Sequence, residues 1–216
     1  NVRLRDDFSL DVEALFGAVD GNTKVIWICS PNNPTGNAFP MDVLREVASR
    51  FDGIVVVDEA YVDFSDAGSM VDVLDEYPNL IVMQTFSKAW ASAALRLGIA
   101  FASREIISVF NNVKYPYNIN ILTQRQALSE LESADVIRKV VEELVAARDK
   151  LGERLSALEC VRRVHPSDAN FLLVEVTDAG ALYEFLKSCG VIVRNRSRVA
   201  LCGNCLRITV GTDEEN

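Results

Sequence analysis

Leu80-Ile81-Val82-Met83-Gln84-Thr85-Phe86-Ser87-Lys88-Ala89-Trp90 is an apolar run that ends in two hydroxyls and an amine. Its first four residues read as a short buried strand. Open α/β sheets bind ligands outside the carboxyl ends of their strands, so a lysine at this strand's mouth stands where such folds place chemistry. Arg96 follows eight residues after the lysine. Thr85, Ser87 and Arg96 thus offer two hydroxyls and a cation to a phosphate. Taken alone, the same residues also suit an ordinary turn with Ser and Thr as helix caps. Neighbouring segments decide between the two readings.

Upstream, two further runs have the same form. Thr23 to Cys29 is β-branched and aromatic, hence an expected buried strand. It leads into Ser30-Pro31-Asn32-Asn33-Pro34-Thr35-Gly36-Asn37, dense in turn formers. Ile54-Val55-Val56-Val57 is a second buried strand, followed at once by Asp58-Glu59-Ala60-Tyr61. Ser9–Ala18 and Met41–Phe51 carry helical spacing, Ser69–Tyr77 carries it more weakly, and Leu97–Phe101 is a further strand. Strands alternating with helices predict a mainly parallel sheet.

Downstream the pattern changes. Helices are expected over Glu105–Asn112, Asn120–Leu131 and Asp135–Leu158, the last roughly 35 Å long and able to bridge two lobes. A small α+β pattern follows: strands at Phe171–Val176, Val191–Val193 and Leu206–Val210, and a helix over Ala179–Cys189. The expected division is a large α/β domain over 1–145 and a small α+β domain over 146–216, with the boundary inside the long helix.

The chain has 216 residues, 49% hydrophobic and 25% charged, with a net charge of −9. No basic stripe is available to displace counterions, which argues against a nucleic-acid surface. No apolar run approaches the ~20 residues that span a bilayer. Five scattered cysteines suit reduced thiols and a cytoplasmic protein. Cys202-Gly203-Asn204-Cys205 reads as a glycine turn before a strand rather than a metal or redox pair, because the only histidine is His165. No metal site is expected. The chain starts at Asn1 and ends on Thr212-Asp213-Glu214-Glu215-Asn216 with no closing element, so a fragment of a longer protein is expected.

One cofactor matches the segments that follow the three strands. Pyridoxal 5'-phosphate needs a lysine, a carboxylate against its pyridine nitrogen, donors to its ring oxygen, and donors plus a cation for its phosphate. Lys88, Asp58, Asn33 with Tyr61, and Thr85, Ser87 and Arg96 supply one candidate for each. A carboxylate close to the ring nitrogen stabilises its protonated form.

Ser30-Pro-Asn-Asn-Pro-Thr-Gly36, Val57-Asp-Glu-Ala-Tyr61 and Thr85-Phe-Ser-Lys88 with Leu95-Arg96 resemble the fold-type I, class I/II pyridoxal-phosphate-dependent aminotransferases. More narrowly the chain resembles the histidinol-phosphate aminotransferases, including at Tyr115-Pro-Tyr117 and Cys205-Leu-Arg-Ile-Thr-Val-Gly-Thr212. The resemblance implies Lys88 as Schiff-base lysine and proton shuttle, Asp58 on the ring nitrogen, and Asn33 and Tyr61 on the ring oxygen. It implies Thr85, Ser87 and Arg96 on the cofactor phosphate, and Arg194 and Arg207 on the substrate's anionic group. The implied reaction, in histidine biosynthesis, converts histidinol phosphate and 2-oxoglutarate to imidazole-acetol phosphate and glutamate in a homodimer. Threonine-phosphate decarboxylase and a broad-range or aromatic aminotransferase are alternatives on the same fold. A non-catalytic pyridoxal-binding or dimerisation module is an alternative of another class. The family's Ala-Gly-Leu-Arg is Ala93-Ala94-Leu95-Arg96 here, which is tolerable unless residue 94 needs positive φ. The family's N-terminal portion, with its phosphate-binding turn, ring-stacking aromatic and cross-dimer tyrosine, has no counterpart in this sequence.

Overall fold

The computed structural model describes residues 1–216. Asp11 caps α1 (Val12–Gly17) by accepting from the Ala14 amide. That cap starts the helix later than the expected Ser9, because Asp is a strong N-cap. β1 (Val25–Cys29), α2 (Met41–Arg50), β2 (Ile54–Asp58), β3 (Leu80–Thr85) and β4 (Gly98–Ala102) follow. The expected helix over Ser69–Tyr77 is instead a pair of 3-10 turns, Met70–Glu76, broken at Val73. Val73 is buried in the core, and packing there overrides a weak helical preference.

The first sheet has the order β1-β2-β3-β4. The first three strands are parallel and β4 is antiparallel to β3. Cys29 pairs with Asp58 and Asp58 with Met83, so the carboxyl ends of the parallel strands lie level. Leu44, Val47 and Ala48 of α2 pack with Ile26, Ile28, Val55, Val57, Leu80 and Val82. β1 is not buried on both faces as expected: Val25 is 49% and Trp27 58% exposed. It is an edge strand, and α2 covers only the face carrying Ile26 and Ile28.

α3 (Arg104–Val113), α4 (Ile121–Leu131) and α5 (Ala134–Ser156) lead to β5 (Val161–Val164), β6 (Phe171–Val176), α6 (Ala179–Ser188), β7 (Arg194–Asn195) and β8 (Cys205–Thr209). The second sheet is antiparallel with the order β5-β6-β8-β7. β5 was not expected from sequence. The strand expected at Val191–Val193 begins later, at Arg194: the Val191 amide closes the end of α6 on Leu186, and Val193 turns into the core.

α5 serves two cores. Val141, Leu144 and Val145 pack against the cluster of Tyr61, Phe64 and Ala89, whereas Leu151 and Leu155 pack against the cluster of Leu172 and Val174. Arg148, between them, donates from Nη1 to the Phe64 carbonyl at 3.4 Å and the Ala169 carbonyl at 3.2 Å. Cys202-Gly203-Asn204-Cys205 is a turn into β8, and both thiols are buried with Phe8 and Leu173. His165 is also buried there, its ring 4.9 Å from that of Phe8. No helix is long and apolar enough to cross a membrane.

Candidate active site

Each parallel strand delivers one chemically active segment to the same end of the first sheet. β1 runs into the Asn33 loop, β2 ends on Asp58, and β3 ends on Thr85, three residues before Lys88. The register levels these ends, and β4 returns antiparallel with Gly98 opposite Thr85, which brings Arg96 to the same edge.

A chain of contacts crosses from this edge to the second sheet. The Lys88 ammonium lies 5.2 Å from the centre of the Tyr61 ring. Tyr61, buried, meets Phe171 edge to face at 5.2 Å. The Arg207 guanidinium sits 5.0 Å from the centre of Phe171 and donates to Asn33 Oδ1 at 2.8 Å. Lys88, Tyr61, Arg207 and Asn33 are therefore gathered, with Phe171 as the residue that sequence reasoning missed. Its only signal was the apolar run of β6.

Asp58 is half-buried; Oδ1 accepts from the Ala60 amide at 3.1 Å and Oδ2 lies 4.0 Å from Cys29 Sγ. Burial, and then the Asp58 carboxylate, raise the Cys29 pKa and keep that thiol neutral. Thr85 Oγ1 accepts from the Ser87 amide at 3.0 Å and donates to the Leu97 carbonyl at 3.3 Å. Arg96 is exposed and bonds its own turn at the Ala93 carbonyl, 2.9 Å away, rather than Thr85 or Ser87. Positive φ falls on Arg96 (52°) and Ala91 (52°), not on Ala94, so the extra methyl of Ala94 meets no backbone conflict. Arg194 is exposed and pairs with Arg207 across β7 and β8. Burial lowers the Arg207 pKa; Tyr61 opposes that shift, and the charges of Arg196 and Arg194 add to it. Its Nε is buried without a partner.

Glu59, also missed, lies beside Asp58 and is 2% exposed. Its carboxylate accepts from Ser69 Oγ, the Met70 amide and Gln84 Nε2. Its amide donates to the Met83 carbonyl at 2.8 Å, which ties the end of β2 to β3.

The carboxyl end of the first sheet presents an amine, a carboxylate, an amide and a phenol, with two hydroxyls and a cation on the segment between β3 and β4, and these are the group types that pyridoxal phosphate requires. A mainly parallel sheet with a lysine at its mouth, joined to a small antiparallel sheet, is an α/β architecture of the kind that binds ligands at the carboxyl ends of its strands. The whole chain, residues 1–216, matches the model of the family aminotransferase class I and II, and the chain belongs to that family. It is 52% identical over 216 residues to a histidinol-phosphate aminotransferase of Cytophaga hutchinsonii, and 50% identical over 215 residues to one of Bacteroides thetaiotaomicron. In both comparisons all of this chain is covered, and it spans 62% of the relative's length. The crystal structure of histidinol-phosphate aminotransferase from Sinorhizobium meliloti in complex with pyridoxal-5'-phosphate superposes with a TM-score of 0.90 at 26% identity. That match covers 100% of this chain and 60% of the other.

Proposed function

We propose that the intact protein is a pyridoxal-phosphate-dependent aminotransferase. It converts histidinol phosphate and 2-oxoglutarate to imidazole-acetol phosphate and glutamate, as a cytoplasmic homodimer. The single observation that supports this reading is the line Lys88–Tyr61–Phe171–Arg207–Asn33, in which contacts through two aromatic rings link an amine to a guanidinium.

Asp58 would hold the cofactor's ring nitrogen, Asn33 and Tyr61 its ring oxygen, and Thr85, Ser87 and Arg96 its phosphate. When bound, pyridoxal phosphate supplies an electron sink for the carbanion left by loss of the substrate's α-proton. Lys88 is the base that takes and returns that proton at Nζ, a role within reach of a half-buried amine at a strand mouth. Asn33 Oδ1 accepts from Arg207, which leaves Nδ2 free to donate. One amide thereby couples the anion-binding arginine to the ring-oxygen position. Phe171 and Tyr61, packed together and buried, would form an apolar wall of the site. Arg194 and Arg207 would take the substrate phosphate, since each guanidinium presents a fork of donors to a dianion.

Borohydride reduction of the cofactor-loaded intact protein should fix a pyridoxyl group on Lys88. Lys88→Ala should lose both that label and transamination of histidinol phosphate with 2-oxoglutarate, with an unchanged circular dichroism spectrum. A label on another lysine overturns the assignment. Decarboxylation of threonine phosphate in place of transamination overturns the substrate.

A further inference from the structure

Arg196 lies two residues past Arg194 on the strand edge that pairs with β8. Its amide donates to the Cys205 carbonyl at 2.8 Å, which continues the register in which Arg194 pairs with Arg207 and Asn195 with Leu206. Side chains alternate across a strand. Asn195 reaches the α6 side, where Nδ2 donates to the Ala179 carbonyl. Arg194, Arg196 and Arg207 therefore share the opposite face, the one on which Phe171 packs with Tyr61 and Leu173 packs with Phe8. None of the three is in an ion pair with a carboxylate. Nε of Arg196 and Nε of Arg207 are both buried with no hydrogen-bond partner. Like charges and unpaired buried donors are costly to gather, and an anion of high charge relieves both costs at once.

We infer that Arg196 is a third anion-binding residue on this face, and that with Arg194 and Arg207 it selects a doubly charged phosphoester over a singly charged carboxylate. The inference rests on the aminotransferase reading of the site and deepens it: two arginines suffice to hold an anion, and the third sets the preference for a dianion.

The test uses the cofactor-loaded intact protein, so that the cofactor's own phosphate site is filled. Inorganic phosphate and acetate are titrated calorimetrically at pH 8 against wild type, Arg196→Gln and Arg196→Lys. The glutamine variant is expected to weaken phosphate by about tenfold or more, with acetate much less affected and lysine restoring part of the loss. In turnover of histidinol phosphate the loss falls on KM rather than kcat. Independently of any variant, phosphate but not acetate should protect Arg196 of the wild type from phenylglyoxal. Unchanged phosphate affinity overturns the inference, as does equal loss for both anions without rescue by lysine, or modification of Arg196 at the same rate with phosphate present. If wild type binds phosphate in this Arg196-dependent way but fails to transaminate histidinol phosphate, the substrate reading falls and the anion site stands.

Discussion

Glu59 is the residue whose environment is most at odds with its charge. Burial raises its pKa above 4.5, and the donors Ser69, Met70 and Gln84 only partly offset that. The sign of the pH effect follows from proton counting. As pH rises above 4.5 the unfolded carboxyl has lost its proton while the folded one still keeps part of its own. The folded state then binds more protons, and stability falls with pH until the folded pKa has been passed. Glu59→Gln has no proton to lose. The stability of wild type minus that of Glu59→Gln, measured by urea unfolding at a series of pH values, should therefore decrease as pH rises from about 4.5. A flat or rising difference would show that the three donors, not burial, set the pKa. Because the Glu59 amide ties β2 to β3, this residue also fixes the backbone on which Asp58 is presented.

The loop from β1 to α2 is the element that joins Asn33 to the second sheet, and Gly36 is its tight point. Gly36 has φ +87°, and a Cβ there would lie 2.5 Å from Ser167 Oγ. Ser167 is not free to swing aside, because its hydroxyl donates to the Phe171 carbonyl at 2.6 Å. The Asp168 amide donates to the Gly36 carbonyl, and Asp168 Oδ2 accepts from the Ala38 amide, each at 2.7 Å. Gly36→Ala should therefore cost about 1–3 kcal/mol of stability, from left-handed strain and overpacking together. It should also raise KM for the phosphorylated substrate by moving Asn33 off Arg207. Chemical denaturation and steady-state kinetics measure the two effects, and a variant unchanged in both would show that the loop is held elsewhere. The fold's elements differ in how far sequence reveals them, for physical reasons. β1, β2 and β3 were legible because their β-branched runs exceed what any helix face holds. β5 was not, because Val161-Arg162-Arg163-Val164 is an edge strand whose arginines remain exposed. The positions of Lys88, Asp58 and Asn33 at one end of the sheet were legible because each lies at or just beyond the end of a strand. The bridge from Tyr61 through Phe171 to Arg207 was not, since it exists only once the second sheet packs on the first. Arg196 had a signal in its two-residue spacing from Arg194, but using it required knowing that the pairing of β7 with β8 continues one residue past Asn195.

At the scale of the molecule, α5 and Arg148 bind the two sheets together, and the apolar residues of α3 and α4 are left uncovered. Nothing of α3 is buried, although Ile106, Ile107, Val109, Phe110 and Val113 are all apolar. On α4 only Thr123 and Ala127 are buried. Val113, Leu122 and Leu128 are among the large apolar residues left exposed, joined by Tyr115 and Tyr117 on the connection between the helices. An uncovered apolar area of this kind marks an interaction surface, because hydrophobic burial contributes about 25 cal/mol for each Å² removed from water. In the proposed homodimer the second copy supplies the cover. The intact protein should sediment as a dimer, and Val113→Asp with Leu122→Asp should weaken dimerisation by about a hundredfold or more, since each places an unpaired carboxylate against apolar neighbours. Both side chains are exposed within the chain itself, so the monomer should keep its circular dichroism spectrum. If the double variant sediments as a dimer of undiminished affinity, α3 and α4 lie outside the dimer interface, and their cover must come from elsewhere in the same polypeptide.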